Sequence, residues 1–118
     1  MIIYLAGCKG SWREKFKEVF PEIIFIDPFV DSKQSTLVDF VKEDLEYIRK
    51  ADIIIGYVGY PVYTGLSVEI GYAAALGKPI IIIWKLRTGR VEPLIVGLAQ
   101  KIFVDVDSAI DRLRGTLK

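Results

Sequence analysis

Two acidic side chains, Glu69 and Asp44, stand in surroundings where a carboxylate is unexpected. Glu69 lies in a run of small and apolar residues, 63–75, which predicts a helix with this acid in its first turn. The helix follows an apolar strand at 53–55, and ligands of open α/β proteins bind at such strand-to-helix loops. At this place an acid is either a partner of the helix dipole, worth about 0.3–1 kcal/mol, or a reactive group.

Asp44 interrupts the apolar face of another predicted helix, 35–50, which has a serine or threonine at its start. At about 100° per residue, its neighbours on that face are Leu37, Val41, Leu45 and Ile48. An unpaired buried carboxylate costs several kcal/mol or takes up a proton. Asp44 therefore either bonds to a nearby backbone or arginine group, or faces a ligand cleft.

The pair of acids indicates a particular class of chemistry. A capping box does not explain Glu69, because Leu66 stands where a serine or threonine is required. The helix dipole would keep Glu69 ionised, which suits a nucleophile. Two carboxylates in a chain without histidine are typical of glycoside-type chemistry, in which one attacks the anomeric carbon and the other handles the proton of the leaving group.

The elements that must position these acids alternate between short apolar runs and amphipathic stretches. Strands are predicted at 2–6, 23–27, 52–58, 79–84 and 101–104, and further helices at 12–20, 92–98 and 107–113. This order predicts one α/β domain over residues 1–118, a three-layer αβα, flavodoxin-like arrangement around a five-stranded parallel sheet. The alternative is the same set of elements in another strand order.

The predicted sheet directs its carboxyl-end loops, 7–11, 27–33, 59–65 and 85–90, to one edge, where we expect the ligand cleft. The first loop and the helix start after it could cradle an anion. Its charges, Lys9 and Arg13, are alternatively solvated. Trp12 is expected to pack in the core or an interface. The tyrosines nearby either stack on a base or pack on one another; they are Tyr57, Tyr60 and Tyr63.

Composition narrows the classes of function. With no histidine and a single cysteine, Cys8, the chain lacks the usual metal ligands and any intramolecular disulfide, so we expect no metal site. The 16 basic and 15 acidic residues are interspersed, which argues against a nucleic-acid surface. Without a signal-peptide pattern or a run of about 20 apolar residues, a cytoplasmic location is expected. The absence of asparagine, with frequent isoleucine, lysine and glutamate, favours a thermophile.

Several motifs, taken in order, resemble the nucleoside 2-deoxyribosyltransferase family. They are IYLAG at 3–7, DP at 27–28, DL at 44–45, ADI at 51–53, GL at 65–66, EIGYA at 69–73 and LGKP at 76–79. The resemblance implies a Rossmann-like, flavodoxin-type fold and cleavage of the N-glycosidic bond of deoxynucleosides, without metal or cofactor. It also implies a role in nucleotide salvage and a homodimer or larger homo-oligomer that shares active-site residues between subunits.

The same resemblance implies roles for individual residues. Glu69 would be the nucleophile that forms a glycosyl-enzyme at C1′, Asp44 would assist proton transfer, and Tyr4 would line the site and orient Glu69. A second base or water would then release the sugar. The residues expected to bind substrate are Gly7, Lys9, Ser11, Arg13, Asp27, Tyr63 and Gly65.

Tyr63 departs from the family pattern, in which transferases carry an aspartate six residues before the nucleophile. A sister group, the 2′-deoxynucleoside 5′-monophosphate N-hydrolases, carries a phosphate-binding serine there, and Pro93 replaces another serine of that group. Hydrolysis of a deoxynucleoside monophosphate is therefore one alternative function, and a non-catalytic nucleotide-binding module is another. Flavin binding rests on the analogy of fold alone.

Overall fold

The computed structural model describes residues 1–32, 37–59, 64–85 and 93–117 of the 118-residue chain. Within these ranges strands and helices alternate, and none of the helices is long and apolar enough to cross a membrane. The strands are β1 Ile2–Gly7, β2 Ile24–Ile26, β3 Ile53–Val58, β4 Ile80–Trp84 and β5 Lys101–Phe103. The helices are α1 Trp12–Val19, α2 Pro28–Asp31, α3 Leu37–Lys50, α4 Thr64–Ala75, α5 Pro93–Leu98 and α6 Val106–Leu117.

The strands form one parallel sheet in the order β2-β1-β3-β4-β5. This is the flavodoxin-like order, so the predicted α/β fold is confirmed. Gly7 pairs with Tyr57, and Val58 pairs with Trp84. The carboxyl ends of β1, β3 and β4 consequently lie side by side at one edge of the sheet.

Both faces of the sheet are covered, which explains why its central strands are continuous apolar runs. Along β1, Ile3 and Leu5 pack with residues of α1 and α6, whereas Tyr4 and Ala6 pack on the opposite face with residues of α3, α4 and α5. All four side chains are fully buried. This alternation produces the three predicted layers and turns Tyr4 toward the face that carries α3 and α4.

The prediction that Glu69 lies in a first helical turn is wrong. Helix α4 already begins at Thr64, so Glu69 is its sixth residue and lies in the second turn. Thr64 and Gly65 extend the helix ahead of the apolar residues that begin at Leu66, although glycine is a weak helix former. The helix dipole, which acts within the first turn, is therefore not the main influence on Glu69.

Two further expectations fail in the segments before Asp44. The predicted loop 27–33 contains a helical turn, α2, because Asp27 accepts a hydrogen bond from the backbone N–H of Phe29 and proline occupies the first helical position. On α3, Val41 was expected on the apolar face but is 48% exposed. The buried face instead includes Asp44 and Ile48, one helical turn apart.

Gly7 closes β1 with a backbone that other residues rarely adopt, at φ +117°. A Cβ atom at this position would lie 2.2 Å from the backbone oxygen of Tyr57. We expect Gly7→Ala to destabilise the protein by at least about 3 kcal/mol in urea unfolding, because positive φ and a backbone clash act together. Gly115→Ala, on α6 with open space around it, is the matched control and should be neutral or slightly stabilising. Equal effects of the two substitutions would contradict this prediction.

Candidate active site

A cavity of about 220 Å³ opens at the carboxyl edge of the sheet, on the side of α3 and α4. We call it the Glu69 cavity. Its walls come from the end of β1, from α1 and α2, and from facing turns of α3 and α4. It is lined by Gly7, Arg13, Pro28, Phe29, Phe40, Asp44, Gly65, Leu66 and Glu69. Five residues expected to bind or react with substrate thus meet at one place: Gly7, Arg13, Asp44, Gly65 and Glu69.

Tyr4 positions the Glu69 carboxyl group by a hydrogen bond. Its hydroxyl donates a hydrogen bond to Oε2 of Glu69, and its ring is fully buried in the core under α4. Burial, together with the nearby Glu69 carboxylate, raises the pKa of Tyr4 far above its usual range. Tyr4 therefore keeps its proton at every ordinary pH and acts only as a hydrogen-bond donor.

The Glu69 carboxyl group is close to half ionised at neutral pH. Burial raises its pKa from 4.5 to about 7, and the negative charge of Asp44 adds to this increase. The hydrogen bond from Tyr4 and the positive charge of Arg13 act in the opposite direction. The expectation that the helix dipole keeps Glu69 ionised is wrong, because loss of water around the carboxylate dominates.

Asp44 has a partner that the sequence did not indicate. The hydroxyl of Ser32 donates a hydrogen bond to Oδ1 of Asp44, and both side chains are buried. Burial raises the pKa of Asp44, the Ser32 bond lowers it, and the charge of Glu43 raises it. The Asp44 carboxylate is thus bonded by a serine hydroxyl, which is neither the backbone group nor the arginine expected, and it also lines the Glu69 cavity as the second interpretation requires.

Arg13 and Asp27 form a buried ion pair, with 2.9 Å between Nη1 and Oδ1 and both side chains only 2% exposed. Nη1 of Arg13 also donates to the carbonyl of Leu5, and Nη2 donates to the carbonyl of Gly7, both at 2.9 Å. Lys17 approaches the other oxygen of Asp27 at 3.2 Å. The alternative of a solvated charge is therefore wrong for Arg13, and contact of Arg13 or Asp27 with substrate stays a prediction.

Lys9 and Ser11 lie outside the lining of the Glu69 cavity. They line a larger and more open hollow of about 520 Å³, which also contains Trp12 and Tyr57. Trp12 is buried as expected of a packing residue, and its ring stacks on that of Tyr57 at 4.8 Å. Tyr57 therefore packs against a neighbouring ring. The other two tyrosines of the expected aromatic wall, 60 and 63, lie outside the described residues.

Solved structures of known proteins share this fold over nearly the whole chain. A 2-deoxyribosyltransferase from Bacillus psychrosaccharolyticus superposes with a TM-score of 0.76 at 22% identity, covering 92% of this chain and 90% of that one. The chain has the fold of the 2-deoxyribosyltransferases. A CMP N-glycosidase from Clostridium botulinum superposes with a TM-score of 0.71 at 20% identity, covering 97% and 99% of the two chains.

Sequence similarity extends to a related group over a shorter segment. The chain is 42% identical to the 5-hydroxymethyl-dUMP N-hydrolase of Mus musculus over 53 residues, which make up 44% of this chain and 30% of that protein. The corresponding protein of Rattus norvegicus is 38% identical over 50 residues, 42% of this chain and 30% of that protein. No protein-family model matches the chain. The resemblance inferred from the motifs is confirmed.

Ser32 and Phe40 are parts of the site that the sequence did not reveal. Ser32 follows a helical turn that was expected to be loop, and Phe40 precedes Asp44 by one turn on the side of α3 that lines the cavity. The sequence Asp27-Pro28, which is typical of a helix start, is the signal that could have indicated the helical turn before Ser32. Among the described residues, no group of three or more aspartate, glutamate, cysteine or histidine side chains is arranged to hold a metal ion.

Proposed function

We propose that this protein cleaves the N-glycosidic bond of 2′-deoxyribonucleosides through a covalent intermediate on Glu69. The observation that carries the proposal is a half-buried glutamate, bonded by the Tyr4 hydroxyl, that faces the same cavity as a second carboxylate, Asp44. The fold shared with a 2-deoxyribosyltransferase and a CMP N-glycosidase supports this class of reaction, as does the sequence match to N-hydrolases of a deoxynucleotide.

The reaction proceeds in two displacements. Tyr4 bonds Oε2 of Glu69, so we assign attack on C1′ of the sugar to Oε1. As the Oε1–C1′ bond forms, the C1′–N bond breaks, and its electron pair goes to the departing base, which takes a proton from Asp44. Burial raises the pKa of Asp44 above that of an exposed aspartate, which increases the fraction that carries the proton this step needs. A second base or a water molecule then attacks C1′, returns a proton to Asp44 and frees the Glu69 carboxylate.

The lining of the Glu69 cavity favours an uncharged nucleoside. Phe29, Phe40 and Leu66 supply apolar surface for a base and its sugar. The cation among the described lining residues is Arg13, and Asp27 already neutralises it at 2.9 Å. The alternative substrate is a deoxynucleoside 5′-monophosphate, which the match to 5-hydroxymethyl-dUMP N-hydrolases supports.

Incubation with a panel of substrates tests the proposal. The protein is mixed with deoxynucleosides and with their 5′-monophosphates, with and without a free acceptor base, and the released or exchanged base is measured by chromatography. We expect base release that Glu69→Ala abolishes and that Glu18→Ala, on the exposed side of α1, leaves unchanged. Release from no substrate, or equal release by Glu69→Ala and the wild type, would overturn the proposal. Saturable binding without product would instead indicate a non-catalytic module.

The covalent step has a test of its own within the same panel. The fluorine of a 2′-fluoro-arabino nucleoside destabilises the positively charged transition state. It slows the second displacement more than the first, so the glycosyl-enzyme accumulates. We expect mass spectrometry to find the sugar adduct on the peptide that contains Glu69. An adduct on another residue would contradict the assignment of the nucleophile.

A further inference from the structure

Arg13 ties together the elements that surround Glu69. Both hydrogens of Nη1 are engaged, one by the carbonyl of Leu5 and one by Asp27, while Nη2 donates to the carbonyl of Gly7. The two carbonyls flank Ala6, so the guanidinium braces the end of β1, the strand that carries Tyr4. Nε is buried and has no hydrogen-bond partner among the residues that the structure describes. The bonded geometry thus directs the guanidinium into the protein and leaves the Nε donor closed off from a ligand.

The rings beside Arg13 extend this brace to α1 and α2. The guanidinium carbon lies 4.7 Å from the ring centre of Trp12 and 4.7 Å from that of Phe29. Asp27, the ion-pair partner, also caps α2 by accepting from the N–H of Phe29 at 3.1 Å. Gly7, Arg13 and Phe29 all line the Glu69 cavity. One buried ion pair therefore fixes three of the walls around the reacting centre.

The charge of Arg13 also acts on the reacting groups. Glu69 is faced by Tyr4 from β1, by Asp44 from α3 and by Arg13 from α1. Arg13 lowers the pKa of Glu69, whereas Asp44 raises it. A buried charge is only weakly screened by salt, so Arg13 exerts this influence although Asp27 partly neutralises it.

We propose that Arg13, locked by Asp27, is a positioning residue that holds the end of β1 beneath Glu69 and places a buried positive charge at the Glu69 cavity without contacting the substrate. Its kinetic consequences rest on the proposed function, but its effect on the ionisation of Glu69 does not. The proposal differs from the expectation that Arg13 binds a substrate phosphate, and the two make opposite predictions.

Titration of Glu69 by nuclear magnetic resonance tests the effect on ionisation without any substrate. The protein is labelled with glutamate carrying ¹³C at the carboxyl carbon, and the Glu69 signal is identified by its absence in Glu69→Gln. We expect its midpoint near 7 to rise by at least about half a unit in Arg13→Met and to stay close to wild type in Arg13→Lys, which retains the charge. An unchanged midpoint in folded Arg13→Met would overturn the proposal.

Kinetics separate positioning from substrate contact. We expect Arg13→Met to lower kcat at least about tenfold at pH 7 with KM changed less than about twofold, and by the same factor for a nucleoside and its monophosphate. A loss of activity confined to the monophosphate, or one expressed mainly in KM, would show that Arg13 contacts the substrate and would overturn the proposal. If the wild type releases no base, the proposed function fails while the titration still decides the role of Arg13.

A second variant protects the experiment against loss of the fold. Arg13→Met leaves Asp27 with Lys17 as its remaining counter-charge, which removes part of the cost of the lost partner. Should it fail to fold, the double variant Arg13→Met/Asp27→Asn removes both buried charges and keeps an oxygen that can cap α2. We expect the same upward shift of the Glu69 midpoint in this double variant, and a midpoint equal to that of the wild type would overturn the proposal.

Discussion

Glu69→Gln is expected to abolish base release and, above pH 7, to make the folded protein more stable than the wild type. Loss of the nucleophile should lower kcat by about 10³-fold or more, because the amide of glutamine cannot form the glycosyl ester that the Glu69 carboxylate forms. The gain in stability follows from the same burial that makes Glu69 reactive. A glutamine in this position keeps the shape of the side chain and has no charge to remove from water.

The sign of the stability change depends on pH. Glu69 has a pKa of about 7 in the folded protein and 4.5 as its ordinary value. Below about pH 4.5 both the folded and the unfolded states hold the proton, so burial of this group costs nothing extra. Between 4.5 and 7 only the unfolded state loses its proton, and the folded state loses stability as pH rises. Well above pH 7 the loss is complete, at about 3 kcal/mol for a shift of this size.

Urea unfolding of the wild type and Glu69→Gln at pH 4, 6 and 8 measures this difference. We expect the two free energies of unfolding to be similar at pH 4 and to diverge in favour of Glu69→Gln by about 3 kcal/mol at pH 8. The control is Glu18→Gln on the exposed surface of α1, for which we expect no divergence. A constant difference between Glu69→Gln and wild type at all three pH values would contradict the assigned ionisation.

The fold was predictable because its strands carry their own signal. The runs at β3 and β4 are too apolar for a sheet with one solvent-exposed face, so they indicated a parallel sheet covered by helices on both sides. Glycine and proline mark the ends of these runs, which placed the loops and hence the cleft. Even so, the strand order was chosen by analogy with known folds, since pairing of β1 between β2 and β3 depends on contacts distant in the chain.

The partners and surroundings of the site residues were harder to predict from the sequence. Because the sequence placed Glu69 one turn too early in the helix, the helix dipole was expected to be the main influence on its pKa. In the structure, burial of the carboxylate above Tyr4 is the largest influence. The partner of Asp44 is Ser32, twelve residues earlier, and no local periodicity links the two. The family resemblance implied that Arg13 contacts the substrate, but it did not reveal the buried ion pair that Arg13 forms with Asp27, fourteen residues later. These pairings are set by tertiary structure.

Tyr4→Phe is the second substitution with a large expected effect. It removes the hydrogen bond to Oε2 of Glu69 and leaves the packing of the ring in place. A hydrogen bond to a charged group contributes about 1.5–3 kcal/mol, so we expect kcat to fall about 10- to 100-fold. Because that bond lowers the pKa of Glu69, the acid limb of kcat/KM should also move from about pH 7 to higher pH.

The pH profile distinguishes orientation of Glu69 by Tyr4 from proton donation by Tyr4. Since burial keeps the pKa of Tyr4 far above its usual range, its hydroxyl cannot be the acid that protonates the leaving base, and this role falls to Asp44. We therefore expect Tyr4→Phe to shift the limb of the profile near pH 7, which Glu69 sets, and to leave the limb that Asp44 sets in place, whereas Asp44→Asn should alter that second limb. Tyr72→Phe, one turn after Glu69 on α4, is the matched control and should change neither limb. Loss of the limb assigned to Asp44 in Tyr4→Phe would show that Tyr4 donates the proton, and would leave Asp44 a role in binding the base.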